Sequence, residues 1–524
     1  MADGALRAVT ITQASRIHDL SPDPSACHDD KCHCASAQDS MGVSMNLAKV
    51  IEGHGADRRA LVDGDREVTF GELRELVSKL RAQLAARGVG HGDAVALAAG
   101  NEVHFATASL AVLGVGAIVM PVNPQTPPAE LRLRVELVGP KVLLAGDSAV
   151  AMIGLDDRLG VEVLDMNALE AQASTDPDPG ICFVNPDDRA FYMATSGVSG
   201  APKVAVLSHH NLRWVQEAMA GGLDPLQPED VTLGCLPFGH IFGLNVVLLY
   251  GLRVGSCTVL QRVFDADESL ELISRHGVTV LAGAPPMWQR WAKAEAPDDS
   301  LSTIRYAASG AAALPLGVFE SIRDRFGVEV AQGYGLTETS PVVTLSRGHA
   351  VRPSSVGKVL DGVTVALVDE DGSPVDVGDE GEVVVKGPGV FDGYLDDQAM
   401  TDAVLTADGW FWTGDVGIFD EDGYLYLVDR IKDVVIVSGF NVYPAEVETA
   451  LMKHPDVKGA IVTGQANEMT GEMVVAHVSG TATEEQLRAH LAEHLSRYKW
   501  PAQYFFLDEL PIAPNGKPIR RALR

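Results

Sequence analysis

The chain has 524 residues, 46% of them hydrophobic and 21% charged, with a formal net charge of −30. That length exceeds one ordinary core and predicts two or more domains, and the composition excludes disorder of the whole chain. The acidic balance argues against a general nucleic-acid binder and against an electrostatic membrane anchor, both of which need basic surface. An anionic substrate would have to be met by a few local Lys and Arg side chains, backbone N–H groups and a metal ion.

Residues 1–44 are rich in Ser, Asp, Ala and His without sustained periodicity, and they read as a disordered tail or as an extension upstream of a true start at Met41 or Met45. The string Cys27-His28-Asp29-Asp30-Lys31-Cys32-His33-Cys34 offers thiolate and imidazole ligands, but its spacing fits no standard zinc pattern. The remaining cysteines, Cys182, Cys235 and Cys257, read as small core side chains rather than a disulfide framework. No early segment resembles a signal peptide. The longest apolar run, Phe105 to Val122, carries Thr107, Ser109, Gly114 and Gly116 and reads as a buried helix followed by a buried strand. A cytoplasmic location is the expectation.

Folded structure is predicted from Asn46. Thr69-Phe70-Gly71-Glu72 is a capping box; Leu73, Leu76, Leu80 and Leu84 then line one helix face, and Gly88 closes it. A strand follows at Ala94 to Ala98, and helix–strand alternation continues to about residue 340, which predicts an α/β architecture. From Val356 the pattern turns to short strands and tight turns: Val363 to Val368, a turn at Asp371-Gly372, Gly381 to Lys386, and Tyr424 to Val428. The last ninety or so residues read as a small α+β unit. Thr483 and Gln486 form its helix cap, Leu487, Leu491 and Leu495 its apolar face, and Met473 to Val478 and Gln503 to Leu507 its strands.

Four stretches suggest chemistry. In Tyr192 to Lys203, Gly197 and Gly200 let backbone approach an anion; Thr195, Ser196 and Ser199 add hydroxyls, and Lys203 a charge. It is not a Walker A loop. In Gln332-Gly333-Tyr334-Gly335-Leu336-Thr337-Glu338 an aromatic between glycines can stack on a base, and the carboxylate suits Mg²⁺. Asp415 in Gly409 to Asp415 suits ribose hydroxyls, and Arg430 phosphate or ribose oxygens. Pro514-Asn515-Gly516-Lys517-Pro518 places a lysine in a tight turn. Alone, each also reads as an ordinary loop or a solvated charge.

Together, in this order, these stretches resemble the adenylate-forming (AMP-binding) superfamily of acyl-CoA synthetases, adenylation domains and luciferases, over about residues 46–524. The blocks Leu207 to Leu212, Leu236-Pro237-Phe238-Gly239-His240, Ser309-Gly310-Ala311-Ala312 and Val437 to Glu448 agree with it. The resemblance implies an N-terminal adenylate-forming domain over 45–430, of two α/β subdomains and a small β-barrel-like one, with a mobile α+β lid over 431–524. It implies that Thr195, Ser196, Gly197, Val198, Ser199, Gly200 and Lys203 hold ATP phosphates. Ser309, Gly310 and Ala311 would form the base pocket with Gly333, Tyr334 and Gly335. Thr337 would contact the α-phosphate, Glu338 would bind Mg²⁺, and Asp415 and Arg430 would hold the ribose. Lys517 would bridge the acid and the α-phosphate. Lys432 would be the hinge that withdraws Lys517 and brings Gly439 to the CoA channel, with His240 at the junction of acyl and pantetheine channels or else packed structurally.

The sequence departs from the family pattern at Val198, Ser199, Val204 and Trp412, none of which removes a required charge. No acid follows Phe238 to pair with a substrate ammonium, and Ile241 to Leu248 is apolar. The expected activity is therefore ATP- and Mg²⁺-dependent ligation of a hydrophobic carboxylic acid, of medium or long chain, to coenzyme A. The alternatives are loading of a carrier-protein phosphopantetheine and a catalytically silent nucleotide-binding module.

Overall fold

The structure is a computed structural model and describes residues 45–524, apart from 127, 173–176, 196–202, 370, 431–434, 438–439, 468–470, 493, 496, 513–518 and 524. The Cys27–Cys34 string lies outside the described residues. Two largely parallel sheets dominate the chain. In the six-stranded sheet, Glu162–Asp165, Val142–Ala145, Ala94–Ala98, Ile118–Val122 and Arg189–Thr195 run parallel, and Lys203–Ser208 closes the edge as an antiparallel hairpin partner. In the nine-stranded sheet, Arg59–Asp63, Cys257–Leu260, Val231–Gly234, Val280–Gly283, Tyr306–Ser309 and Val330–Tyr334 run parallel, and antiparallel strands finish both edges. Strands such as Ala94–Ala98 and Val142–Ala145 are continuous apolar runs because both of their faces are covered.

The helices between the sheets explain that burial. The run read as helix then strand forms the helix Val103–Gly114, buried along its whole length, and the strand Ile118–Val122. The helix Phe70–Ala86 starts where expected: the Thr69 hydroxyl accepts from the Glu72 N–H at 3.2 Å, and the Glu72 carboxylate accepts from the Thr69 N–H at 2.8 Å. The apolar run after His240 is a helix, but a wide one: Phe242–Leu249 is a π-helix, with the Tyr250 N–H donating to the Asn245 carbonyl five residues back. Fully buried Asn245 ties this helix to its neighbours. Its Nδ2 donates to the carbonyls of Leu212 and Ser340, and its Oδ1 accepts from Gln216. Each polar atom of that amide is thus satisfied inside the core.

The later strands also form close to expectation. Thr364–Val368, Gly381–Lys386, Phe411–Phe419 and Leu425–Arg430 make a four-stranded antiparallel sheet. The last of these begins one residue later than predicted and runs two further. The C-terminal part carries a five-stranded sheet built on Val457–Asn467 and Gly471–Gly480, with its own apolar core around Val447, Val462, Val474 and Leu487. The Thr483–Gln486 cap forms there, with the Thr483 N–H donating to Gln486 Oε1 at 2.8 Å. One reading is corrected: Cys235 and Cys257 are core side chains, but Cys182 is only half-buried. Among the described residues no helix is long and apolar enough to cross a membrane.

Candidate functional site

Three parallel strands end on residues singled out from sequence. Thr195 ends one strand of the six-stranded sheet, and Ser309 and Tyr334 end adjacent strands of the nine-stranded sheet. The carboxyl ends of parallel strands are where chain direction changes and where open α/β sheets hold ligands. Beyond Tyr334 the chain turns at once into the single 3₁₀ turn Thr337–Thr339. Gly335 makes that turn possible, because a Cβ there would lie 1.5 Å from the Pro341 carbonyl oxygen. The Leu336 N–H donates to Thr339 Oγ1 at 2.9 Å, and Ser340 follows with a left-handed φ of 65°. The Ser340 carbonyl is the one Asn245 holds, at 2.7 Å, so the turn is fastened to the apolar helix.

This segment carries the contacts of two buried carboxylates. The Tyr334 hydroxyl donates to Asp415 Oδ2 at 2.7 Å. Asp415 is 5% exposed and stands opposite Arg430 in strand register. Gly414 beside it has a φ of 71°, and its N–H donates to Glu382 Oε1 at 3.0 Å. Burial, and next the Asp415 charge, push the Glu382 carboxyl above its ordinary range against the Gly414 hydrogen bond.

Glu338 is 9% exposed, and its Oε1 accepts from the Tyr394 hydroxyl at 2.8 Å. No Lys, Arg or His among the described residues pairs with it. A buried carboxylate without a counter-cation is costly, so this donor suits a bound cation, and hard oxygen ligands are what Mg²⁺ takes. Burial first, and then the Glu338 charge and hydrogen bond, drive the Tyr394 phenol well above its usual pKa and keep its proton in place.

Thr195 and Lys203 face each other as the end pair of two antiparallel strands. Lys203 Nζ lies 5.4 Å from the centroid of the Tyr394 ring. Val204, expected to stiffen the position after the lysine, is a strand residue 2% exposed and packs in the core. Trp412 is partly buried beside Trp410. Lys203, Tyr394 and Glu338 thus form a chain of contacts between the hairpin and the turn.

Ser309 is buried, and its hydroxyl has no hydrogen-bond partner among the described residues. The ring of Phe242 lies against Gly310, where a Cβ would meet it at 2.9 Å. Ala311 is left-handed at φ 71°. His240 is exposed rather than packed under the loop; its backbone N–H donates to the Pro237 carbonyl at 3.0 Å. In the helix Phe242–Leu249, Phe242 and Val246 alone keep partial exposure, and they lie four residues apart on one face.

The structure therefore links Lys203 to Glu338 through Tyr394 and Tyr334 to Asp415, the two sets sharing one backbone segment, and sets Ser309, Gly310 and Phe242 beside the neighbouring strand end. Ser196, Gly197, Val198, Ser199, Gly200, Lys432, Gly439 and Lys517 lie outside the described residues, as does the side chain of Arg430. Sequence reasoning missed Tyr394 and Asn245. An aromatic following Gly393 was the one available signal for the first; nothing local marks the second, since its partners are up to 95 residues away.

Comparison with known proteins supplies the family. AMP-binding enzyme matches residues 47–395, and AMP-binding enzyme C-terminal domain matches 446–517. A 4-coumarate–CoA ligase of Oryza sativa subsp. japonica is 33% identical over 501 residues, covering 89% of this chain and 91% of its own. One of Pinus taeda is 32% identical, with 90% and 92% covered. Among solved structures, ATP-bound MatB from Rhodopseudomonas palustris has a TM-score of 0.86 at 29% identity, over 92% of this chain and 98% of that one. O-succinylbenzoate coenzyme A synthetase (MenE) from Bacillus subtilis, in complex with ATP and magnesium ion, has a TM-score of 0.83 at 29% identity, over 91% and 99%.

Proposed function

The chain belongs to the AMP-binding enzymes and is an AMP-forming acid–thiol ligase, and from that premise we propose that its acid is hydrophobic, of medium or long chain, and that coenzyme A is the thiol. The observation that carries the reading is the double contact of one strand–turn segment: Tyr334 to Asp415, and Glu338 to Tyr394. A single nucleotide lying along that segment would meet a base-stacking ring, a ribose-binding carboxylate and a metal-binding carboxylate in that order. The apolar helix beginning at Phe242 supplies the acyl side.

The chemistry asks for little covalent help. A carboxylate oxygen attacks the α-phosphorus of ATP and pyrophosphate leaves, so two anions must be brought together while charge builds on the phosphoryl oxygens. Tyr334, Ser309 and Gly310 hold the base, Asp415 and Arg430 the ribose, and Thr195 to Lys203 the β- and γ-phosphates. Thr337 lies next to the metal ligand and contacts the α-phosphate. Mg²⁺, when held by Glu338, supplies charge compensation there. Lys517 bridges the two reacting anions, and the C-terminal part then turns about Lys432 so that Gly439 borders the thiol's path past His240.

Acid-dependent exchange of pyrophosphate into ATP tests this. The panel runs from hexanoate to palmitate and includes cinnamate and 4-coumarate, and the assay is repeated with coenzyme A to detect thioester. Exchange that is strongest for aliphatic acids and is followed by thioester supports the proposal. The names of the curated relatives favour an aromatic acid instead, and the aromatic arm decides between them. ATP binding with no exchange for any acid would sink both and leave a silent nucleotide-binding module.

A further inference from the structure

We propose that Tyr394 is a positioning residue that makes Glu338 a one-oxygen metal ligand and so sets the site's preference for Mg²⁺ over larger divalent cations. The proposal rests on the assignment of Glu338 as the metal ligand. A carboxylate can offer a cation one oxygen or two. Ca²⁺ accepts two at flexible distances, whereas Mg²⁺ demands near-octahedral geometry at about 2.0–2.1 Å and takes single oxygens. Here one of the two is already engaged: the Tyr394 hydroxyl donates to Glu338 Oε1 at 2.8 Å. That bond takes one lone pair of Oε1 and draws charge from it, which leaves Oε2 the better donor to a cation, and it fixes the orientation of the carboxylate.

Tyr394 is itself held on several sides. Its N–H donates to Thr401 Oγ1 at 2.9 Å, and its backbone bridges Ala205 within the Lys203–Ser208 strand. The Phe391 ring meets it edge-on at 5.0 Å, and the Phe391 N–H donates to the Glu338 carbonyl at 2.9 Å. Asn211 fastens the same segment, donating to the carbonyls of Pro388 and Val390 at 2.9 and 2.8 Å. The phenol is therefore held in place, and a carboxylate that rotates to turn both oxygens toward a cation does so at the expense of this bond. The Lys203 ammonium lies over the same ring, 5.4 Å from its centroid, beside the phenol.

The test is Tyr394→Phe in the full chain, which removes the hydroxyl and keeps the ring under Lys203. Mn²⁺ binding is followed by electron paramagnetic resonance in the presence of α,β-methylene-ATP, and Mg²⁺ and Ca²⁺ are titrated in as competitors. Losing an outer partner of a metal ligand weakens metal affinity by about 10–100-fold. The variant should therefore bind Mg²⁺ at least about tenfold more weakly, lose little or nothing for Ca²⁺, and show the same shift in pyrophosphate exchange supported by the two cations. Glu338→Gln serves as reference and should weaken binding of all three ions. If Tyr394→Phe leaves the Mg²⁺/Ca²⁺ ratio unchanged, or lowers every ion equally together with the melting temperature, Tyr394 is a packing residue and the proposal fails. If Glu338→Gln leaves Mn²⁺ binding untouched, the metal assignment itself falls.

Discussion

Asp415 and Glu338 are near-twins in setting and differ in company. Both are buried, and both accept a tyrosine hydroxyl, at 2.7 and 2.8 Å. Asp415 sits on a long paired strand opposite Arg430, with Glu382 beside it through the Gly414 N–H. Glu338 sits on a single 3₁₀ turn with no ionic partner among the described residues. A carboxylate that is to bind neutral hydroxyls can be surrounded by fixed partners; one that is to bind a metal must keep an uncompensated charge. The difference in surroundings thus matches the difference in proposed task.

Breaking both halves at once should have the largest effect. Gly335→Ala forces a Cβ into the Pro341 carbonyl and displaces the segment that bears Tyr334 and Glu338. We expect destabilisation of about 3 kcal/mol or more in thermal or urea melts, at or beyond the upper end of the usual overpacking cost, and loss of exchange activity. Glu338→Gln separates the halves: exchange should fall by roughly 10²–10³-fold, by analogy with the loss of one electrostatic donor to a developing oxyanion, while ATP binding without metal is retained. Asp415→Asn should act on binding instead, raising KM for ATP about 10–100-fold, since a hydrogen bond to a charged group contributes about 1.5–3 kcal/mol.

Tyr334→Phe keeps the ring and removes the donor to Asp415, for a smaller rise of about five- to tenfold in the same KM. Smallest is Glu382→Gln. The Glu382 carboxyl lies above its ordinary value of 4.5, so the folded protein binds more protons than the unfolded one in that window. Its effect on stability is then favourable at low pH and lost as pH rises through the folded pKa. The glutamine variant should gain melting temperature in mildly alkaline buffer and little in acid.

Much of this was legible in sequence because it depends on local rules. The Thr69 and Thr483 caps need only hydrogen-bond donors and acceptors three residues apart, and the Phe105 to Val122 run needs only length and glycine placement. Tyr334 and Glu338 stood out because glycines flank the ring and the acid follows in the next turn. What stayed hidden is non-local. Tyr394 reaches Glu338 across 56 residues, and Asn245 reaches Ser340 across 95; neither has a neighbour in sequence that requires it. The π-helical winding of Phe242–Leu249 likewise leaves no mark in its hydropathy, which alone reads as an ordinary buried helix.

Calorimetric titration of ATP into the wild type, Asp415→Asn and Glu338→Gln, each with Mg²⁺ and with EDTA, tests the division of labour most directly. The account predicts that Asp415→Asn weakens binding equally in both buffers and that Glu338→Gln weakens it only when Mg²⁺ is present. Equal losses for Glu338→Gln in the two buffers, or unchanged affinity for Asp415→Asn, would contradict it.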